Sequence, residues 1–301
     1  MRDRLVQRWF RYATGLVAAL VVAVTLIVAH QLWVGSQSTW QEWGLSFLTR
    51  TEWNPVRGEF GALPFIAGTL LTSLMALAMA VPVSLGIAIL LSEYAPRFVR
   101  DPLIFIVELL AAIPSVVLGL WGIFVLAPLM QSRILPAIAA SPLGWLPIFG
   151  EPGPGYNLFT ASVILAIMVL PIIASLSREV LLAVPLDQKE AALALGSTRW
   201  EAVQHVVLAY GRSGIFSAAI LGLARALGET MAVTMTIGNR VALTFDYFEP
   251  GYSMTAIIAN ELREAATELH VSALVAVGLV LFCLSFVLNA AARLLVLRLG
   301  R

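Results

Sequence analysis

Residues Gly222–Asn239 read GLARALGETMAVTMTIGN. The stretch leaves an apolar run, Ile215 to Leu223, and sets Arg225 and Glu229 four residues apart. Four residues make about one helical turn, so a helix here places both side chains on one face. In a soluble helix the pair would be a surface ion pair contributing roughly a few tenths of a kcal/mol. The flanking sequence is too apolar for that setting. An arginine at a bilayer centre costs about 2.5–3.5 kcal/mol on insertion scales, and such residues face a protein interior or an aqueous cavity. Two roles stay open at this point: a site for transport or chemistry, or a clamp between neighbouring helices.

Composition extends the membrane reading to the whole chain. Of 301 residues 59% are hydrophobic and only 12% charged, where soluble domains carry about 25% charged residues. Mean hydropathy is +0.88. Lys189 is the only lysine, and Gln188-Lys189-Glu190 is no Walker A loop, so the chain does not hydrolyse ATP by that route unaided. Cys283 is the only cysteine, which excludes an internal disulfide and a cysteine-based metal site. His30, His205 and His270 lie far apart, with neither HExxH nor GxSxG present. No cofactor is expected.

Six spans follow along the chain, each long enough to cross a bilayer, which takes about 17–25 residues. The first, Ala13–Ala29, is read as a retained anchor rather than a cleaved signal. Residues 30–62 are polar and rich in tryptophan (Trp33, Trp40, Trp43, Trp53), which suits an outer membrane interface. The second span is Leu63–Leu91 with Pro82, and the third is Pro102–Met130 with Glu108 and Pro114 inside it. Gln131–Asn157, carrying EPGPG at 151–155, reads as a loop, with a partly re-entrant course as the alternative. Leu158–Leu176 with Pro171 is fourth, Ile215–Ile237 fifth and Val271–Leu295 sixth. The three prolines are read as packing features first and gating features second. Between the last two spans, Gly238–His270 is an acidic loop with Asp246, Glu249, Glu261, Glu264 and Glu268, read as a solvated face, with docking of a binding protein as the second reading.

Basic residues set the orientation. Arg2, Arg4, Arg8, Arg11, Arg97, Arg100, Arg178, Lys189, Arg199, Arg212, Arg293, Arg298 and Arg301 fall on one side, against Arg50, Arg57, Arg133, Arg240 and Arg263 on the other. The positive-inside rule then puts both termini in the cytoplasm.

The polar segment Ser177–Gly214 is the most structured connector. Pro185 opens a helix, with Asp187 near the positive end of its dipole. Glu190-Ala191-Ala192-Leu193-Ala194-Leu195 propagates it, and Gly196 suits the left-handed cap that ends it. Thr198-Arg199-Trp200-Glu201 is a capping box. A second short helix, Arg199–Leu208, is expected to turn Trp200, Val203 and Val207 to one apolar face. The pair is either a plain interfacial connector or a docking element for a soluble partner.

These residues carry a family resemblance. Glu190-Ala191-Ala192, three residues, Gly196, nine residues and Val206-x-Leu208 resemble the EAA loop of binding-protein-dependent ABC importer permeases. Val206 stands for the family's isoleucine and Ala209 where its proline is expected, which bears on where the second helix ends. The loop in that family fits a cleft on an ATPase subunit, so the resemblance makes Glu190, Ala191, Ala192, Gly196, Thr198, Arg199, Trp200 and Glu201 the docking residues. Arg225-Ala226-Leu227-Gly228-Glu229-Thr230-Met231-Ala232-Val233 and Glu108-Leu109-Leu110-Ala111-Ala112-Ile113-Pro114-Ser115 further resemble C-type permease subunits of phosphate-specific importers.

The resemblance implies an all-α polytopic membrane protein with six transmembrane helices and a MetI-type fold. It also implies a place in the bacterial inner membrane, a heterodimer with an A-type permease, two ATPase copies inside and a phosphate-binding protein outside. The matching division is residues 1–62 (N-terminal segment, first span and outer loop) and residues 63–301 (the permease domain). The chain itself is then a non-catalytic subunit.

For the pathway, arginine offers a planar fork that stays charged and contacts phosphate oxygens in pairs. Arg225, Glu229, Glu108 and Thr230 are the expected pathway residues. Glu229 is expected to hold Arg225 while phosphate is absent. Glu108 either pairs with Arg225 across helices or lies solvated near the inner interface. Ser115, Thr230 and Thr234 could donate to an anion, although such hydroxyls more often bond back to helix carbonyls. Another oxyanion (molybdate, sulfate or phosphonate) and a share in phosphate sensing are the alternative readings. An intramembrane hydrolase lacks a histidine in any central span.

Overall fold

A computed structural model describes residues 2–299. Of the basic residues counted above, Arg301 and the side chains of Arg2, Arg4, Arg8 and Arg298 lie outside what it describes. The described residues form α1 (Arg2–Gly35), α2 (Gln37–Trp43), α3 (Leu63–Ile89), α4 (Arg97–Ala112), α5 (Ser115–Trp121), α6 (Ala127–Leu129) and α7 (Leu135–Ala139). They continue with α8 (Leu158–Leu182), α9 (Leu186–Ala194), α10 (Arg199–Ala202), α11 (Leu208–Gly228), α12 (Met231–Thr236), α13 (Met254–Glu261) and α14 (Glu268–Leu299). Six stretches are long and apolar enough to cross a membrane: Trp9–Gly35, Leu63–Tyr94, Ser115–Ala139, Leu158–Leu182, Arg199–Gly228 and Glu268–Leu294.

The centre is α8, which packs most extensively on α3 and then on α11. Small residues let the backbones approach, as membrane helices require: Ala76 and Ala80 on α3 meet Ala161 and Ala166 on α8 in one buried cluster with Ile164, Val169 and Ile173. Ser84 Oγ donates across the interface to the Leu170 carbonyl (3.0 Å).

The fold differs from the sequence reading in several places. The expected third span does not run through Pro114. Helix α4 ends at Ala112, Ile113 and Pro114 are extended (ψ 126° and 138°), and the membrane-length helix begins at Ser115. A residue before proline is driven out of the helical region, which explains the stop at Ile113. The expected loop from Gln131 is helical as far as Ala139 before it opens. The expected fourth span continues past Leu176 to Leu182.

The second short helix of the connector is not a separate element. It runs from Arg199 through a π-helical turn, Val203–Val207, into α11, because Ala209 imposes no proline stop. Val203 and Val207 are buried as expected, but Trp200 is 54% exposed.

The acidic outer loop, finally, is largely an inward-packed element. Helix α13 buries Met254, Ala256 and Ile257 against Phe47, Phe60, Phe65 and Val277. Trp53 packs edge-on to Phe60 (4.8 Å) and Phe65 (5.0 Å), so the outer tryptophan segment joins the same core. Glu261 accepts from Trp53 Nε1 (2.8 Å) and lies 2.9 Å from His270 Nε2, tying three segments together. Only part of the expected solvated face remains, at Glu264 and Glu268. Glu261→Ala strands the buried His270 ring and the half-buried Trp53 Nε1 and is expected to cost about 1–3 kcal/mol. The check is the unfolding midpoint of detergent-purified protein, with the exposed Glu264→Ala leaving it unchanged. Burial pushes the phenols of Tyr247 and Tyr252 above their usual range. Both therefore remain neutral hydrogen-bonding groups, Tyr247 donating to the Leu71 carbonyl (3.1 Å) and Tyr252 accepting from Asn260 Nδ2 (2.9 Å).

Candidate functional site: a paired helix break and an exposed connector helix

Helix α11 stops at Gly228, Glu229 is extended (φ −71°, ψ 127°), and α12 restarts at Met231 after Thr230. Arg225 and Glu229 therefore do not share a continuous helical face. The ion pairs among the described residues are Arg178–Glu179, Lys189–Glu93 and His270–Glu261, and the expected Arg225–Glu229 pair is not formed. Nor is Arg225–Glu108: Glu108 is exposed on α4, outside the membrane-length helices. Arg225 is instead exposed at an open cleft of about 430 Å³ lined by Ile172, Leu221, Ala224, Arg225, Gly228 and Glu229. The Glu229 carboxylate lies 3.5 Å from the Ala232 amide, at the outer limit of a hydrogen bond.

A break in a membrane helix frees backbone groups that protein must satisfy. Thr255 Oγ1 donates to the Glu229 carbonyl (2.8 Å). Thr255 is held in turn by Ser253 (3.1 Å between hydroxyls), and the next residue, Met254, donates its amide to Thr69 Oγ1 (2.9 Å). The break is thus pinned by the inward-packed outer loop. Thr234 bonds back to the Thr230 carbonyl (2.7 Å), the ordinary role for a helical threonine. The Thr230 hydroxyl reaches the Gly228 carbonyl only at 3.4 Å.

The second break, at Ile113–Pro114, lies beside the first. A Cβ on Gly119 would sit 2.5 Å from Met235 Sδ and 3.2 Å from the Ala232 Cα, and one on Gly122 would sit 2.6 Å from Thr236 Cγ2. Residue numbers rise together along this contact, so α5 and α12 are parallel and touch almost backbone to backbone. Sequence reading found Pro114 and the arginine motif but not their juxtaposition. Its available signal was Gly119 and Gly122, two side-chain-free residues about one turn apart that let helices approach closely.

On the Ser177–Gly214 connector, sequence and structure agree closely. Pro185 is the residue before α9, Asp187 lies in its first turn, and Gly196 takes φ +92° just beyond its end. That conformation suits glycine and ends the helix. The capping box is formed both ways: Glu201 N donates to Thr198 Oγ1 (3.3 Å), and Thr198 N donates to Glu201 Oε2 (2.7 Å). Thr198→Ala is expected to cost about 1 kcal/mol at this helix start, read as a lower midpoint for local unfolding by hydrogen exchange.

Glu190, Ala191, Arg199 and Trp200 are exposed, and Ala192 is half-buried. Leu186, Leu193 and Leu195 are exposed with Trp200 (69%, 43% and 89%) and were missed by the motif. Large apolar side chains left open together on one element mark an interaction face.

An arginine beside a helix break and an exposed connector helix, in a bundle with six membrane-length helices, fit the membrane subunit of a transport system. The chain belongs to the family of binding-protein-dependent transport system inner membrane components, whose model matches residues 80–301. It is a multi-pass membrane transport subunit, not an enzyme. It is 46% identical to the phosphate transport system permease protein PstC of Xylella fastidiosa, over 100% of this chain and 94% of that one. To PstC of Pasteurella multocida it is 43% identical (100% and 95% covered), and to PstC 2 of Mycobacterium tuberculosis 41% (95% and 90% covered). Its fold matches the inward-facing MetNI methionine ABC transporter (TM-score 0.58, 19% identity, 79% of this chain and 97% of that one). It likewise matches a bacterial ABC transporter for alginate import (TM-score 0.56, 16% identity, 94% and 96% covered). The expected MetI-type helical fold is the one found.

Proposed function

We propose that this chain is the permease subunit of an ATP-driven importer of inorganic phosphate. The carrying observation is Arg225, a cation in a membrane-length helix, beside a helix break and with no carboxylate paired to it among the described residues. An arginine so placed requires an aqueous pathway or a partner surface, and its fork suits phosphate. The high identity to proteins named phosphate transport permeases supports this cargo.

In this reading the exposed cleft faces a second, A-type permease, and the pathway runs between the two. Arg225 binds the anion, and Thr230 donates its weakly engaged hydroxyl. Glu229, an acceptor when ionised, favours a protonated phosphate oxygen over sulfate. Glu108 joins them as the acid on the helix before the second break.

Residues 186–201, including Glu190, Ala191, Ala192, Gly196, Thr198, Arg199, Trp200 and Glu201, dock one of two ATPase copies. A phosphate-binding protein delivers cargo outside, and both termini are cytoplasmic. Residues 1–62 then supply the first span and outer loop, and residues 63–301 the permease body.

The test is labelled-phosphate uptake by cells that rely on this permease and its partners, with sulfate and molybdate as competitors. Uptake resistant to both is the expected result. Competition by either anion at equal concentration overturns the cargo assignment.

A further inference from the structure

We propose that Lys189 and Glu93 form the strut through which movement of the docking helix α9 reaches the second span. The proposal rests on the reading that residues 186–201 dock an ATPase. Helix α9 buries no residue of its own, so packing does little to fix its orientation. Its chain neighbours tie it to α8 and α10, and it touches the π-helical turn that leads into α11. Helix α3 is reached differently. Lys189 Nζ lies 2.6 Å from Glu93 Oε1, with the two side chains only 16% and 15% exposed.

Glu93 sits in Leu90–Tyr94, the π-helical turn that closes α3. The pair walls a cleft of about 140 Å³ with Tyr94, Leu193, Arg199 and Val207. A charge-assisted bond so shielded from water is short and directional, and its members hold each other in place because neither is well solvated alone. Pushing α9 therefore pushes the end of α3, and α3 carries that displacement along its extensive contact with α8. Lys189, the chain's one lysine, is thereby a positioning residue outside the docking motif.

The experiment uses the complete transporter in liposomes, with partner permease, ATPase and binding protein. It compares wild type, Glu93→Gln and the charge exchange Glu93→Lys/Lys189→Glu, reading ATP hydrolysed and labelled phosphate taken up. Glu93→Gln is expected to keep hydrolysis near wild type while phosphate moved per ATP falls about tenfold. The charge exchange is expected to restore most of that ratio. Hydrolysis and uptake falling in proportion, or a charge exchange no better than Glu93→Gln, overturns the strut.

A cross-link from Ala192→Cys to the ATPase separates the two levels. Its formation with proportional losses removes the strut alone. Its absence in an otherwise wild-type chain removes the docking reading, and the strut with it.

Discussion

Arg225→Ala is expected to reduce ATP-driven phosphate uptake about thirtyfold or more, the consequence of losing roughly 2–5 kcal/mol of charge-paired hydrogen bonding. The unfolding midpoint is expected to stay at the wild-type value. That combination follows from Arg225 being exposed at the cleft and unpaired with Glu229 or Glu108. Truncating an arginine held in an ion pair strands its carboxylate and destabilises the fold, whereas truncating this one strands no carboxylate among the described residues. A falling midpoint with uptake intact is the signature of a clamp between helices and would remove Arg225 from the pathway. Arg225→Lys keeps the charge and loses the fork, so uptake should remain well below wild type. Co-purification of the partner subunits with each variant shows that assembly has survived.

Gly119→Leu is the second large effect. The side chain enters a contact in which a single added carbon already lies 2.5 Å from Met235 Sδ and 3.2 Å from the Ala232 backbone. Overfilling a packed contact costs about 1–3 kcal/mol. Here it also levers α5 from α12 and disturbs both breaks at once, so uptake is expected to vanish. Gly119→Ala is milder, because the Met235 side chain can swing away while the Ala232 backbone cannot. Gly119→Ala/Met235→Ala should regain uptake lost in the single variant. Full uptake in Gly119→Leu would show that the two broken helices need not stay together.

The sequence disclosed most where the physics is local. Pro185, Asp187, Gly196 and the Thr198–Glu201 box act within a few residues of themselves, and each sits in the structure as expected. Spans are set by length and apolarity, so their number was legible too.

The break at Glu229 was not. No proline stands near it, and Arg225 to Val233 reads as a continuous helix. Its carbonyl is taken by Thr255, twenty-six residues on, in a loop whose acidic composition suggested solvent. Glu261 misled for the same reason, since its partner Trp53 is 208 residues away. Pro114 was visible, but a proline in a membrane helix can kink it or end it. The parallel contact through Gly119 and Gly122 accompanies the outcome found here.

The central claim is that Arg225, at the paired breaks, is where phosphate passes. Electron cryomicroscopy of the complete transporter, with phosphate present and an ATPase that binds but does not hydrolyse ATP, tests it most directly. Anion density about 3 Å from the Arg225 guanidinium, absent when phosphate is omitted, is the expected result. Density along the pathway that bypasses Arg225, with its guanidinium buried against a carboxylate of the partner permease, would contradict the claim and make the arginine a clamp between subunits.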